Sequence, residues 1–310
     1  MSGLLAIFGN MQLWASTLSL SVPLVLPALG GTFSERTGVV NIAMEGIMLI
    51  GAFFAVFFSS LTMNPWVGLL GAVVAGGIMA VIFAWAAIRL RSDQVIIGMA
   101  VNIFASGLTA YLLNTIFGFG GTPVNTPMLP HLNWPWLGRI PVLGPLLNDQ
   151  SILVYITLLL VVAGHFFLFH TRLGLRMRAV GENPEAADTA GINVYRIRYL
   201  GVLISGFLSA LAGAYLSIGV LNSFEVDMTN GRGYIALAAM IFGRWTPFGS
   251  FGAALLFGFA SALSMPLQSS VAAKNLVQML PYVVTILALI GVGGKSVAPA
   301  ADGVPYEAEK

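Results

Sequence analysis

Long stretches without charge constrain this chain more than any other feature. No Asp, Glu, Lys or Arg occurs in residues 1–34, 46–88 or 245–273. A helix needs roughly 20 apolar residues to cross a hydrocarbon layer about 30 Å thick, and each of these runs is longer. Only 8% of the residues are charged and 57% are hydrophobic, whereas soluble domains carry about 25% charged residues. The sequence therefore predicts an all-α, polytopic bundle of transmembrane helices.

The order of apolar and charged segments predicts about nine spans. We place them at 13–33, 43–62, 66–88, 95–117, 151–169, 199–221, 234–243, 247–266 and 276–293. Segment 234–243 is short for a span, and segment 36–45 is an alternative candidate for a re-entrant loop. Broken or re-entrant helices are therefore expected somewhere in the bundle.

The basic residues predict how the bundle is oriented. When the Arg-rich segment 170–198 is placed in the cytosol, the positive-inside rule is satisfied by the following residues, which all fall inside: Arg36, Arg89, Arg91, Arg172, Arg176, Arg178, Arg196, Arg198, Arg244, Lys295 and Lys310. Only Arg139, Arg232 and Lys274 fall outside. This arrangement predicts a multi-pass membrane protein, surrounded by lipid, with its N-terminus outside and its C-terminus in the cytosol; the family resemblance described below implies that the membrane is the bacterial inner membrane. Because the basic residues lie between apolar runs rather than on one face, nucleic acid is not an expected partner.

The domain organisation is predicted to be simple. Residues 1–294 form one transmembrane domain with an external loop at 118–150 and a cytosolic loop at 170–198, and residues 295–310 form a cytosolic tail. The external loop is rich in proline and tryptophan, which is typical of a segment at the membrane surface. A platform for an external partner is the alternative.

The cytosolic loop contains the signals of a short, capped helix. Asn183 suits the N-cap, Pro184 the first helical position, Glu185 the positive helix end and Gly191 the termination. A helix of about two turns is too short to be stable alone. We therefore expect a soluble partner to hold it.

Polar residues inside the predicted spans are candidates for a solute pathway. A carboxylate within the bilayer costs at least ~2.5 kcal/mol, so Glu45 should face the bundle interior, with Arg36 as a possible partner. A structural role and a solute-contacting role stay open. Glu225 and Asp227 are expected to be solvated charges of an outer loop, with a contact to a binding protein as the alternative. The pathway candidates are Asn41, Glu45, Asn102, Asn114 and Asn222.

The cytosolic loop also carries a family resemblance. Its residues Gly181, Glu182, Asn183, Pro184, Ala187, Gly191 and Ile192 resemble the coupling loop of permease subunits in bacterial ATP-binding-cassette (ABC) importers. That group serves ribose, other simple sugars, nucleosides and branched-chain amino acids. Segments 28–46, 92–114 and 140–146 resemble the nucleoside and simple-sugar permeases that work with basic-membrane-lipoprotein-type binding proteins. The resemblance covers about residues 13–294.

The resemblance implies an assembly in which this chain is not an enzyme. Two membrane subunits, often two different permeases of related sequence, would associate with two cytosolic ATPase subunits and an external substrate-binding lipoprotein. The chain itself would bind no cofactor, with ATP and Mg²⁺ held by the ATPase. In agreement, Gly294-Lys295-Ser296 lacks the glycine that a phosphate-binding loop requires five positions earlier, where Leu289 stands.

Two other functional classes compete with the importer subunit. A self-sufficient secondary transporter or channel would also tolerate broken helices and Glu45, but it leaves the capped cytosolic helix unexplained. An intramembrane enzyme would need a nucleophile, base or metal pair, and the sequence has none in a recognisable arrangement.

Overall fold

A computed structural model describes residues 10–118, 126–134, 143–270, 279, 283, 286 and 297–307. In chain order its helices are α1 (Met11–Glu35), α2 (Met44–Thr62), α3 (Pro65–Ala84), α4 (Gln94–Phe117), α5 (Leu143–Leu147), α6 (Ile152–His170), α7 (Arg172–Glu182), α8 (Pro184–Thr189), α9 (Val194–Ala214), α10 (Arg232–Phe242) and α11 (Pro247–Ser270). Helices α3 and α9 continue as π-helical turns over Trp85–Arg89 and Tyr215–Leu221. Two short strands, β1 (His131–Leu132) and β2 (Gln150–Ser151), pair antiparallel.

The predicted membrane-helix bundle is confirmed, and the span count is refined. Within the described residues, seven helices are long and apolar enough to cross a membrane. The predicted span 234–243 corresponds to α10, which has only 11 residues and reaches about 16 Å at 1.5 Å per residue. It is therefore too short to cross the hydrocarbon layer. The predicted span 276–293 lies outside the described residues.

Small residues bring the central helices together. Helix α1 packs against α9, α10 and α11, and α9 also packs against α2 and α3. A Cβ added to Gly213 would lie 1.9 Å from the Met48 carbonyl oxygen, and one added to Gly51 would lie 2.5 Å from that of Ala210. Close backbone approach supplies the packing energy that the hydrophobic effect cannot supply between helices in lipid. Larger residues at these two glycines would force α2 away from α9.

Helix α4 lies at the edge of the bundle. It packs mainly on α2, while Ile96, Ile103, Phe104 and Tyr111 are exposed on its other side. In a membrane protein such a surface contacts lipid or another subunit. The segment 36–45, considered above as re-entrant, consists of a non-helical connection over residues 36–43 and the first two residues of α2.

Candidate functional site

The loop between α6 and α9 has all of the predicted capping features. The Asn183 side chain accepts a hydrogen bond of 2.9 Å from the Ala186 N–H, and Pro184 and Glu185 occupy the first turn of α8. Gly191 has a φ of +79°, and its N–H donates to the Asp188 carbonyl at 2.8 Å. The N–H of Ile192 donates to the Ala187 carbonyl at 3.0 Å. Local sequence therefore determines both ends of this six-residue helix.

Helix α8 has an inner and an outer side. Ala187 is only 4% exposed and belongs to the apolar core, whereas Glu185, Ala186, Asp188 and Thr189 are exposed. Sequence reasoning had expected a separate partner to hold this helix. The structure shows that the chain itself holds the inner side, which leaves only the outer side available to a partner.

Residues 297–307 of the tail pack onto this loop. The Ala301 N–H donates to the Gly181 carbonyl at 2.9 Å, and Arg198 Nη1 donates to the Val304 carbonyl at 2.9 Å. Tyr306 is 5% exposed and lies 5.6 Å from the Tyr195 ring. Sequence reasoning missed these contacts, because nothing in the composition of the tail indicates where it folds.

A buried carboxyl group fixes the tail to the end of α1. Asp302 lies beside Glu35 and Arg198, and burial raises the pKa of its carboxyl to about 6, although hydrogen bonding to Glu35 and Gly303 and the charge of Arg198 act in the opposite direction. Glu35 in turn accepts a hydrogen bond of 2.5 Å from Trp245 Nε1. The tail, α1, α9 and the α10–α11 connection therefore meet at the acidic pair of Glu35 and Asp302.

Arg36 lies on the same side of the bundle as the loop between α6 and α9. Its Nε donates to the Trp245 carbonyl at 3.0 Å, and its Nη1 lies 3.9 Å from Glu182 Oε1. Arg36 also contacts α7 through its backbone, because a Cβ on Gly181 would lie 2.3 Å from the Arg36 carbonyl oxygen. Helix α7 is thus tied directly to the end of α1.

Glu45 has a different partner from the one considered in the sequence analysis. Its two carboxylate oxygens accept hydrogen bonds from the N–H groups of Gly231 at 2.8 Å and Gly233 at 2.6 Å. These donors lie at the start of α10, where free N–H groups and the helix dipole favour a negative charge. The suggested pairing of Glu45 with Arg36 is therefore wrong, and Glu45 is the cap of α10.

A polar surface lies beside this cap, and we define it by Asn102, Ser106, Asp227 and Tyr234. Asn102 accepts from the Gly46 N–H at 2.8 Å and donates to the Tyr234 hydroxyl at 2.9 Å. Ser106 donates to Asp227 at 2.7 Å, and Tyr234 is 41% exposed. Sequence reasoning did not group Asn102 with Asp227 and Tyr234, because these two residues lie more than a hundred residues further along the chain. It also missed Ser106, which lies about one helical turn from Asn102 on α4.

The other pathway candidates lie elsewhere. Asn41 is fully buried and donates to Ser205 at 2.9 Å, which is a helix-joining contact. Asn114 is exposed, but it lies 12 residues beyond Asn102, or about 18 Å further along α4. Asn222 is exposed and ends the α9 extension with a φ of +56°. The structure does not bring the five predicted residues into one site.

Comparison with known proteins agrees with this architecture. Residues 13–289 match the family described as branched-chain amino acid transport system / permease component. The chain is 44% identical to the guanosine ABC transporter permease protein NupQ of Bacillus subtilis, over 94% of this chain and 95% of the relative. It is 40% identical to the nucleoside ABC transporter permease protein NupC of Lactococcus lactis, over 94% and 95%.

The fold has a solved counterpart. A metal-chelate-type ABC transporter in an inward-facing conformation matches with a TM-score of 0.55 and 14% identity, covering 92% of this chain and 87% of the other. At this identity the likeness concerns the fold alone. The family match over residues 13–289 and the two relatives at 44% and 40% identity show that the chain belongs to the branched-chain amino acid transport system / permease component family and is a multi-pass membrane permease subunit of an ABC transporter.

Proposed function

We propose that this permease forms the translocation pathway of a bacterial nucleoside importer and that the outer side of α8 docks on a separate ATPase subunit. The observation that carries the proposal is the two-sided burial of α8, with Ala187 in the core and Ala186 exposed. A helix that is capped at both ends and held from within presents a defined surface to a soluble partner. That partner would supply the ATP and Mg²⁺ chemistry.

The contacts of α8 suggest how movement would reach the membrane helices. Toward the C-terminus, the Ile192 N–H bond to Ala187 ties α8 to the start of α9. Toward the N-terminus, Asn183 joins α8 to α7, which packs on Arg36 through Gly181. A push on α8 would therefore act on α1 and α9, the two helices at the centre of the bundle.

The polar surface suits a neutral solute with several hydrogen-bonding groups. Amide, hydroxyl and carboxylate groups at Asn102, Tyr234 and Asp227 offer both donors and acceptors, as the hydroxyls and ring edges of a nucleoside require. The names of NupQ and NupC point to the same class of solute. Because this surface is open on the single chain, a second permease subunit would complete the pathway.

The proposed orientation follows from the sidedness of the loop. Helix α1 ends beside Gly181 and the tail packs on the same loop, so Met11 lies on the opposite side of the membrane from residues 297–307. With the basic loop in the cytosol, the start of α1 lies outside and the tail lies inside. An external lipoprotein would then deliver solute on the side of β1 and β2.

The experiment that tests the proposal replaces Ala186 by arginine. Ala186→Arg places a bulky charge on the outer side of α8 without entering the core, whereas arginine at the buried Ala187 would disturb the fold itself. We expect loss of the co-purifying ATPase and of ATP-dependent uptake of labelled guanosine into membrane vesicles, with unchanged amounts of permease in the membrane.

Ala298→Arg is the matched control, because Ala298 is also exposed on this side of the protein. It should retain both co-purification and uptake. Undiminished uptake by Ala186→Arg would overturn the docking surface. If the chain purifies alone and moves guanosine in liposomes without ATP, a self-sufficient carrier replaces the importer subunit.

A further inference from the structure

A cavity of about 550 Å³ lies where α3 and α9 reach the side of the membrane that carries the loop. It differs from the polar surface in its residues, its charge and its position. It is lined by Arg89, Asn193, Tyr195, Arg196, Tyr199, Leu200 and Leu203.

The cavity has an uncompensated positive charge. Neither Arg89 nor Arg196 forms an ion pair within the part of the chain that the structure describes. Arg89 lies 5.7 Å above the Tyr195 ring. Glu307, a carboxylate of the adjacent tail, is bound to Arg91 at 2.7 Å and so does not neutralise Arg89. Two exposed guanidinium groups on one concave surface favour an anionic ligand.

The level of the cavity in the membrane indicates what kind of anion it binds. Arg89 is the last residue of the span Pro65–Arg89, and Tyr195 is the second residue of the span Val194–Leu221. Tyrosines at this level are typical of the membrane–water boundary. Leu200 and Leu203 continue the cavity toward the hydrocarbon layer. Helix α3 and its π-helical turn, which pack against α9, expose Ile82 and Trp85. The surface thus changes from charged to aromatic to aliphatic along the membrane normal.

We propose that this cavity binds the headgroup of an anionic phospholipid such as phosphatidylglycerol. Arginine forms paired, charge-assisted hydrogen bonds with phosphate oxygens, and the leucines provide a surface for the upper part of an acyl chain. Basic pockets between transmembrane helices on the cytosolic side are known sites for lipid headgroups. The site does not depend on the nature of the solute or on the direction of transport, so it stands apart from the proposed function.

The test measures the thermal stability of the purified transporter in dodecyl maltoside with added dioleoyl-phosphatidylglycerol. Dioleoyl-phosphatidylcholine and inorganic phosphate serve as comparison ligands. The double variant Arg89→Gln/Arg196→Gln removes the two cavity charges. Its matched control, Arg172→Gln/Arg176→Gln, removes two charges from exposed positions on the neighbouring helix α7.

We expect phosphatidylglycerol to raise the Tm of the wild type and of the control, and to bind the double variant about tenfold more weakly. Arg196→Lys should lie between them, since lysine keeps the charge but not the paired geometry. Native mass spectrometry should show bound phosphatidylglycerol lost in parallel, which separates lipid binding from a general loss of stability.

Three results would overturn the lipid site. An equal Tm shift with inorganic phosphate would identify a free-anion site. An unchanged response of the double variant would place the lipid elsewhere. Loss of a co-purifying permease subunit from the double variant would identify the cavity as a subunit contact.

Discussion

Two short helices, α8 and α10, stabilise their N-termini in different ways. In α8 the acceptor is Asn183, three residues before the Ala186 N–H that it binds. In α10 the acceptor is Glu45, which is 186 residues from Gly231 and 188 residues from Gly233. The first helix is capped by its own sequence and the second by a different membrane helix. A local cap can be recognised in the sequence, whereas a distant one becomes visible only in the fold.

The two caps also differ in strength and in the movement that they allow the helix. Asn183 is exposed to solvent, so its hydrogen bond competes with water. Glu45 is partly buried and makes two charge-assisted hydrogen bonds, which are roughly twice as strong as neutral ones. We infer that α10 moves together with α2, whereas α8 responds more easily to a partner.

The largest effect is expected from removal of the distant cap. Glu45→Leu leaves two N–H groups at the start of α10 without acceptors, at about 1–3 kcal/mol each. We expect nearly complete loss of nucleoside uptake and a markedly lower Tm in detergent. Glu45→Gln retains one oxygen acceptor and should be tolerated better. Normal uptake by Glu45→Leu would show that this cap is dispensable and that Glu45 also lies outside the pathway.

Removal of the local cap should have a moderate effect. Asn183→Ala costs about 1 kcal/mol of helix stability, and because α8 transmits the proposed push, uptake should fall several-fold while the Tm hardly changes. Asn183→Ser is the control, since serine also caps helices well. The comparison between the two helices would fail if Asn183→Ala lowered the Tm as much as Glu45→Leu.

A third difference concerns pH, because the tail that packs beside α8 carries a titrating carboxyl. Docking moves the pKa of Asp302 from its ordinary value of 3.8 to about 6, so the docked tail binds a proton more readily than the released tail. Docking is therefore strongest at low pH and weakens as the pH rises through about 6. After correction for the intrinsic pH dependence of amide exchange, the protection factors of residues 297–307 should be several-fold higher at pH 5.5 than at pH 7.5.

Asp302→Asn tests the origin of this pH dependence. The amide imitates the protonated carboxyl, so the tail should stay protected at both pH values. Glu307→Gln is the control, since it weakens the exposed contact with Arg91 and leaves the buried carboxyl unchanged. A pH dependence that persists in Asp302→Asn would assign it to another group.

Features that depend on residues close together in the chain could be predicted from the sequence, whereas features that depend on distant segments could not. The apolar runs determined the seven long helices, because each span satisfies its own backbone hydrogen bonds. The capping of α8 was also predictable, since Asn183, Pro184 and Gly191 act within a few residues. The grouping of Asn102 with Tyr234, and the packing of the tail on Gly181, depend on chain segments that only the folded bundle brings together.

The smallest effect is expected at the exposed side of α10. Tyr234 accepts a hydrogen bond from Asn102 but contributes no cap and no core packing. Tyr234→Phe should therefore change the free energy of unfolding by no more than about 0.5 kcal/mol. If the polar surface contacts the solute, the KM for nucleoside uptake should rise about threefold with an unchanged maximal rate. Tyr111→Phe, at an exposed position of α4 nine residues beyond Asn102, is the matched control and should leave the KM unchanged. An equal rise of the KM in both variants would indicate a general effect of losing surface hydroxyls. A rise in Tyr234→Phe alone would show that the exposed side of α10 contacts the solute, whereas Glu45 serves to hold the helix in place.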